Sequence, residues 1–212
     1  VGHDVLYNAG NVVNPLLYPD HLSHVPHSIL AEYAAYVARF VRIHLPGQHS
    51  HRTNQSTVAG VIEGSKSGKA PYFLVPLQIP GDSQLTFHSQ FADTHHFINT
   101  VIRSFVAHAP RHCLLVFKNH PLDPGLKRHD RYVANLAPEL RSELGDPSRV
   151  RFLETGHLPS LLDHAAGVVA VNSTTIGQSL FHRCPTIALG KSMFALPGLT
   201  FEGTLDDFWE GG

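Results

Sequence analysis

Between positions 71 and 189 the chain alternates short, wholly apolar runs with segments of helical period. The runs fall at 72–77, 113–117, 150–153, 167–171 and 186–189. A strand with apolar residues on both faces is buried on both, which is the mark of a parallel sheet covered by helices. Parallel neighbours need long crossovers, and the intervening segments supply them. Residues 93–108 set Phe97, Ile98, Val101, Ile102, Phe105 and Val106 on one stripe, with Asp93 or Thr94 as cap. Further helices are expected at 127–144, from Pro159 at its first turn to about 166, and at 174–182. The expected fold is α/β, a Rossmann-like parallel sheet occupying 70–212.

The first part of the chain has a different character. Residues 1–27 are rich in Asn, His, Pro and Tyr and lack a clean period. Ser28 reads as an N-cap, followed at helical spacing by Ile29, Tyr33, Val37, Phe40 and Val41, an amphipathic helix to about Arg42. The polar stretch 45–70 reads as a loop or linker around a short helix near 56–64. Residues 1–69 are therefore expected to be a partial N-terminal or linker segment. The chain opens at Val1 and closes just past an aromatic cluster, which reads as a piece of something longer.

Composition excludes several classes. A content of 42% hydrophobic residues supports a proper core, and a formal net charge of −1 argues against a nucleic-acid partner. Cys113 and Cys184 sit in apolar surroundings and read as buried thiols. The 17 histidines are scattered, and the close sets His49/His51 and His95/His96 lack carboxylate or cysteine company at metal-ligand spacing, so no metal site is expected.

Three polar clusters follow apolar runs, at the carboxyl ends of strands where open α/β sheets bind ligands. The first runs from Gln78 to His88, with Ser89 next to it, and includes Asp82, Ser83 and Gln84; its carboxylate either closes a turn on its own backbone or does chemistry as general base, nucleophile or stabiliser of an oxocarbenium-like centre. The second is Lys118-Asn119-His120-Pro121, where a Lys and a His could neutralise a phosphate and the His protonate a leaving group. The third is Asn172-Ser173-Thr174-Thr175 at a helix start, either plain capping or a phosphate cradle. No GxGxxG, GxSxG or Walker A motif is present.

The strings QIPGDSQLTFHSQF, LLVFKNHPLD, LLDHAAGVVAVNSTTIGQSLFHRCPTIALG and PGLTFEGTLDDFW, in this order, resemble the capsule polysaccharide synthesis proteins of Gram-negative bacteria. NPLLYPDHLSHVP resembles the segment before them. The resemblance covers about residues 71 to 209 and implies the C-terminal donor-binding domain of a GT-B-type glycosyltransferase. Such an enzyme takes 3-deoxy-D-manno-octulosonic acid (Kdo) from CMP-Kdo and adds it to a lipid or saccharide acceptor. It implies that Lys118, His120, Pro121, Asn172, Ser173, Thr174 and Thr175 contact the nucleotide and that Gln78, Ser83, Gln84, His88 and Ser89 hold the sugar. Asp82 would be the catalytic nucleophile, with His120 the second catalytic group. No cofactor is implied, CMP-Kdo being a substrate. A lipid acceptor implies a cytoplasmic enzyme peripheral to the inner membrane, with the capsule export machinery a possible partner. The chain departs from the family pattern at Asn119, where a basic or histidine residue is usual.

Two other readings compete. A UDP-sugar transferase or epimerase on the same fold usually carries an N-terminal Gly-rich loop and paired acids after its last strands, whereas Gly190-Lys191-Ser192 stands here. A non-catalytic capsule assembly or export module would show no nucleotide affinity.

Overall fold

The computed structural model describes residues 29–44, 50–79, 82, 85, 87–140, 142 and 145–210. Two helices come first, α1 (Ile29–His44) and α2 (Ser50–Lys66). They are followed by β1 (Tyr72–Pro76), α3 (Thr94–His108), β2 (Leu114–Lys118), α4 (His129–Glu139), β3 (Val150–Leu153) and α5 (Leu158–Leu162). The chain ends with β4 (Gly167–Ala170), α6 (Thr175–Phe181), β5 (Thr186–Ala188) and α7 (Leu205–Phe208). Ser28 lies outside the described residues.

All five strands run parallel in the order β3-β2-β1-β4-β5. The sheet is buried on both sides, as the apolar runs require. Phe73, Val75, Leu115, Phe117 and Val169 point to one face, against α3, α4 and α7. Tyr72, Leu74, Val116, Val168 and Ala170 point to the other, against α2, α5 and α6. Each such side chain removed from water contributes about 1.5–3 kcal/mol before entropy is counted. The helix at 93–108 forms as its stripe predicts, and Asp93 caps it by accepting from the His96 N–H.

Trp209 and Phe208 complete the first face. The Trp209 ring meets Phe73 edge-on at 4.9 Å, and its Nε1–H donates to Ser104 Oγ at 2.7 Å. Gly167 lets this cluster approach the sheet, because a Cβ there would lie 2.8 Å from Phe208 Cζ.

Two expectations change. The stretch expected as a linker around a short helix is a helix of 17 residues. Its apolar residues are few but correctly spaced: Val58, Val61 and Ile62 seat it on the second face, with Val61 fully buried. Helix α1 forms, yet Tyr33, Val37, Phe40 and Val41 are exposed, while Arg39 and Ile43 are the buried positions. The side of α1 that meets the sheet is the one carrying the arginine.

Candidate functional site

The chain leaves β1 toward β2 and β4 toward β5, on opposite sides of the sheet centre. The two crossovers therefore part between β1 and β4 and open a crevice at their carboxyl ends. Gln78 follows β1 and Asn172 follows β4, one on each lip. The Gln78 Nε2 amide donates to Asp82 Oδ2 at 3.1 Å and to Asn172 Oδ1 at 3.0 Å. One side chain thus ties the two loops together and holds the carboxylate. With its NH2 committed to two acceptors, the Gln78 Oε1 is fixed as a buried oxygen that accepts no hydrogen bond among the described residues. Asp82 also closes a turn, its N–H donating to Ile79 O and its own carbonyl accepting from the Leu85 N–H. Turn closure and carboxylate presentation coexist in one residue.

The rest of the first cluster divides. His88 contributes its backbone: its carbonyl accepts from Lys191 N at 2.8 Å and Asn172 Nδ2 at 3.4 Å, and its ring is exposed. The Ser89 hydroxyl donates to Leu85 O at 2.6 Å and accepts from Phe91 N at 3.1 Å, holding the loop itself. Ser83 and Gln84 lie outside the described residues.

The second cluster is the turn after β2. Lys118, nearly buried, donates from Nζ to Asn119 O, and burial followed by the nearby Arg39 charge lowers its pKa. His120 is half-buried, and its Nδ1 accepts from the Leu122 N–H at 3.1 Å. That bond assigns the neutral ring's proton to Nε2, making it the donor. Burial first, then the Lys118 charge, lowers the His120 pKa, against the opposing pull of Asp123 and Asp82. The neutral donor form is accordingly favoured at neutral pH. Pro121 presents its carbonyl inward, to Arg39 Nη1 at 2.9 Å.

In the third cluster Ser173 caps: its Oγ accepts from the Thr175 N–H at 3.2 Å and donates to Thr175 Oγ1 at 3.1 Å. Thr174 is exposed and makes no capping bond of its own. An apolar groove of about 610 Å³ begins at Thr174 and runs along α6, between Leu158 and Pro159 on one side and Phe194 on the other. A cavity of about 370 Å³ lies toward β3, between Tyr36 and Phe40 of α1 and Lys118, Pro121 and Glu154. No group of metal-ligating side chains suited to an ion occurs among the described residues.

Sequence reasoning missed two contributors, Arg39 and Glu154, and gave Asn119 a place in a cluster but no role. Arg39 reaches Glu154 Oε1 at 2.6 Å from α1. Asn119, nearly buried, accepts from the His120 N–H at 2.9 Å and donates to Glu154 Oε1 at 3.2 Å. The position of Asn119 inside the second cluster was a usable signal. Nothing local marked Arg39 or Glu154, whose roles exist only once α1 lies beside the ends of β2 and β3.

An α/β sheet with its polar loops gathered at one edge defines a Rossmann-like domain, and the sequence relationships give its family. The family model of the capsule polysaccharide biosynthesis protein matches residues 2–211, and the chain belongs to that family. It is 31% identical over 199 residues to the capsule polysaccharide modification protein LipB of Neisseria meningitidis serogroup B, covering 92% of this chain and 44% of that protein. It is 37% identical over 139 residues to the capsule polysaccharide export protein KpsS of Escherichia coli, covering 66% of this chain and 35% of that protein. The chain thus spans less than half the length of these relatives. Among solved structures, the beta Kdo 2,7 transferase KpsC of Thermosulfurimonas dismutans aligns with a TM-score of 0.43 at 16% identity, covering 80% of this chain and 49% of that one.

Proposed function

We propose that this chain is the donor-binding part of a capsule glycosyltransferase that moves Kdo from CMP-Kdo to a lipid or saccharide acceptor, at the cytoplasmic face of the inner membrane. The observation that carries the reading is the Gln78 bridge, which holds Asp82 and Asn172 together and leaves a buried carbonyl oxygen without a donor among the described residues. A sugar hydroxyl satisfies that oxygen, and a bare acceptor at this depth is costly without one. Membership of the capsule family and the resemblance of the ordered motifs support the donor class.

In this reading the nucleotide lies along the carboxyl edge, with its phosphate between His120, donating from Nε2, and the Ser173-Thr174-Thr175 turn. Lys118 adds positive charge from behind the loop. Asp82, held by Gln78, faces the anomeric carbon and attacks it as CMP departs, and the His120 Nε2–H hydrogen-bonds the charge growing on the leaving phosphate. An acceptor hydroxyl then displaces the carboxylate and releases its proton to solvent, so configuration is retained over two inversions. The residues on the edge are enough for this chemistry without a metal or an organic cofactor.

Calorimetric titration with CMP, and with UDP as control, tests the donor class. Selective CMP binding supports the Kdo-donor reading, and equal or preferential UDP binding moves it to the UDP-sugar enzymes. The name of the KpsS relative, an export protein, favours the second reading of a non-catalytic assembly or export module. That module binds neither nucleotide, and the same titration in the longer protein separates it from a site completed by other parts of the molecule.

A further inference from the structure

Four consecutive carbonyls, from His120 to Asp123, all turn toward α1. Arg39 Nη2 donates to His120 O at 3.2 Å, and Nη1 donates both to Pro121 O at 2.9 Å and to Asp123 O. The Tyr36 hydroxyl donates to the carbonyl between them, that of Leu122. The Arg39 guanidinium, 7% exposed, completes its fork on Glu154, which also receives the Asn119 amide. Gly125, at φ +79, lies against the aliphatic stem, a Cβ there standing 3.4 Å from Arg39 Cδ. The loop is wrapped round one side chain.

The Pro121 carbonyl, drawn to Arg39, sends the Leu122 N–H the opposite way because the two share one planar peptide, while the Asp123 N–H closes the turn on His120 O. The Leu122 N–H consequently points back to His120 Nδ1 and decides which ring nitrogen carries the proton. We propose that Arg39, assisted by Tyr36, is a positioning residue for His120: the α1 pair holds the turn in the form that engages Nδ1 and leaves Nε2 as the proton donor. The use of that donor on a phosphate rests on the nucleotide reading above, whereas its orientation does not. Arginine suits the task because its planar fork serves several carbonyls at once, which a lysine ammonium cannot do in fixed directions.

Ring nitrogen NMR of His120 in the whole chain, with amide exchange at Leu122 and CMP titration, tests the assignment. Arg39→Met keeps the stem, and Arg42, 3.5 Å from Glu154 Oε1, leaves that carboxylate a cation. In this variant the His120 ring becomes a mixture of tautomers, its titration moves up because a nearby cation is gone, and Leu122 exchange quickens by on the order of tenfold, the scale of one hydrogen bond. CMP affinity falls by a similar factor, and added guanidinium ion restores part of it. A folded Arg39→Met protein with His120 tautomer, titration and Leu122 exchange as in the wild type overturns the proposal. Should Arg39→Met not fold, Tyr36→Phe decides: faster Leu122 exchange with a shifted tautomer supports the proposal, and no change in either overturns it. A tautomer change in protein that never binds CMP upholds the positioning role and sinks the nucleotide reading alone.

Discussion

At the scale of single residues the proposed chemistry rests on Gln78, Asp82 and His120, and the two proposed catalytic groups each have a distinct test. Asp82→Ala in the full-length protein abolishes transfer while CMP affinity stays within a few-fold, because the role proposed for the carboxylate is at the sugar and not at the phosphate. Normal turnover by that variant removes Asp82 from the mechanism. His120→Ala weakens CMP binding by roughly 1–3 kcal/mol, the scale of a lost hydrogen bond to a charged group, as calorimetry would read. The pH dependence has a definite sign. Burial and Lys118 hold the His120 pKa below its ordinary value, and a bound phosphate favours the protonated ring. CMP affinity therefore rises as pH falls toward the depressed pKa of the free ring and levels off below it, provided the phosphate stays charged. Affinity independent of pH in the mildly acidic range would separate the ring from the phosphate. The clustering of these residues was legible, since each follows an apolar run. Their division of labour was not: only contacts show that Ser89 and Ser173 hold their own loops while Gln78 spans two.

Helix-to-helix and helix-to-sheet contacts bring out two further consequences at the scale of elements. Between α3 and α4, His129 is buried with neither ring nitrogen bonded among the described residues, and His95 stacks on Tyr132 at 4.1 Å. Burial pushes the His129 pKa down to about 4, with Asp123 pulling the other way and His95 and Lys127 adding to the drop. The unfolded chain then binds the proton more readily than the folded one, so stability is complete above about pH 6.5 and is lost as pH falls toward about 4. The loss approaches about 3 kcal/mol, since each tenfold difference in proton affinity between the two states is worth about 1.4 kcal/mol. His129→Leu flattens this dependence in denaturant unfolding measured at successive pH values; an unchanged slope would assign the acid sensitivity elsewhere. On the other side of β1, Gly167→Ala drives a methyl into Phe208 and costs roughly 1–3 kcal/mol of unfolding free energy. Strands and the 93–108 helix were readable from period alone. The length of α2 was not, because its polar residues hide a stripe as sparse as Val58, Val61 and Ile62.

At the scale of the whole molecule, the order β3-β2-β1-β4-β5 sets three separated clusters on one edge. The final aromatic pair closes the core behind them, and Trp209→Ala is expected to cost about 3–5 kcal/mol, as a core tryptophan does, in thermal or denaturant unfolding. A cost near zero would detach the pair from the fold. The sequence by itself determined the strands and their parallel sense, because burial on both faces and long crossovers leave few alternatives. It also carried the family, through motifs whose order survives without a structure. Only the tertiary structure decided which face of α1 meets the sheet. The stripe of Tyr33, Val37 and Phe40 promised one answer, and the packing of Arg39 against the His120 turn gave the other. The reason is physical: a hydrophobic period reports what a helix could bury, whereas four carbonyls converging on one guanidinium and its neighbouring tyrosine arise from two distant segments and leave no local trace.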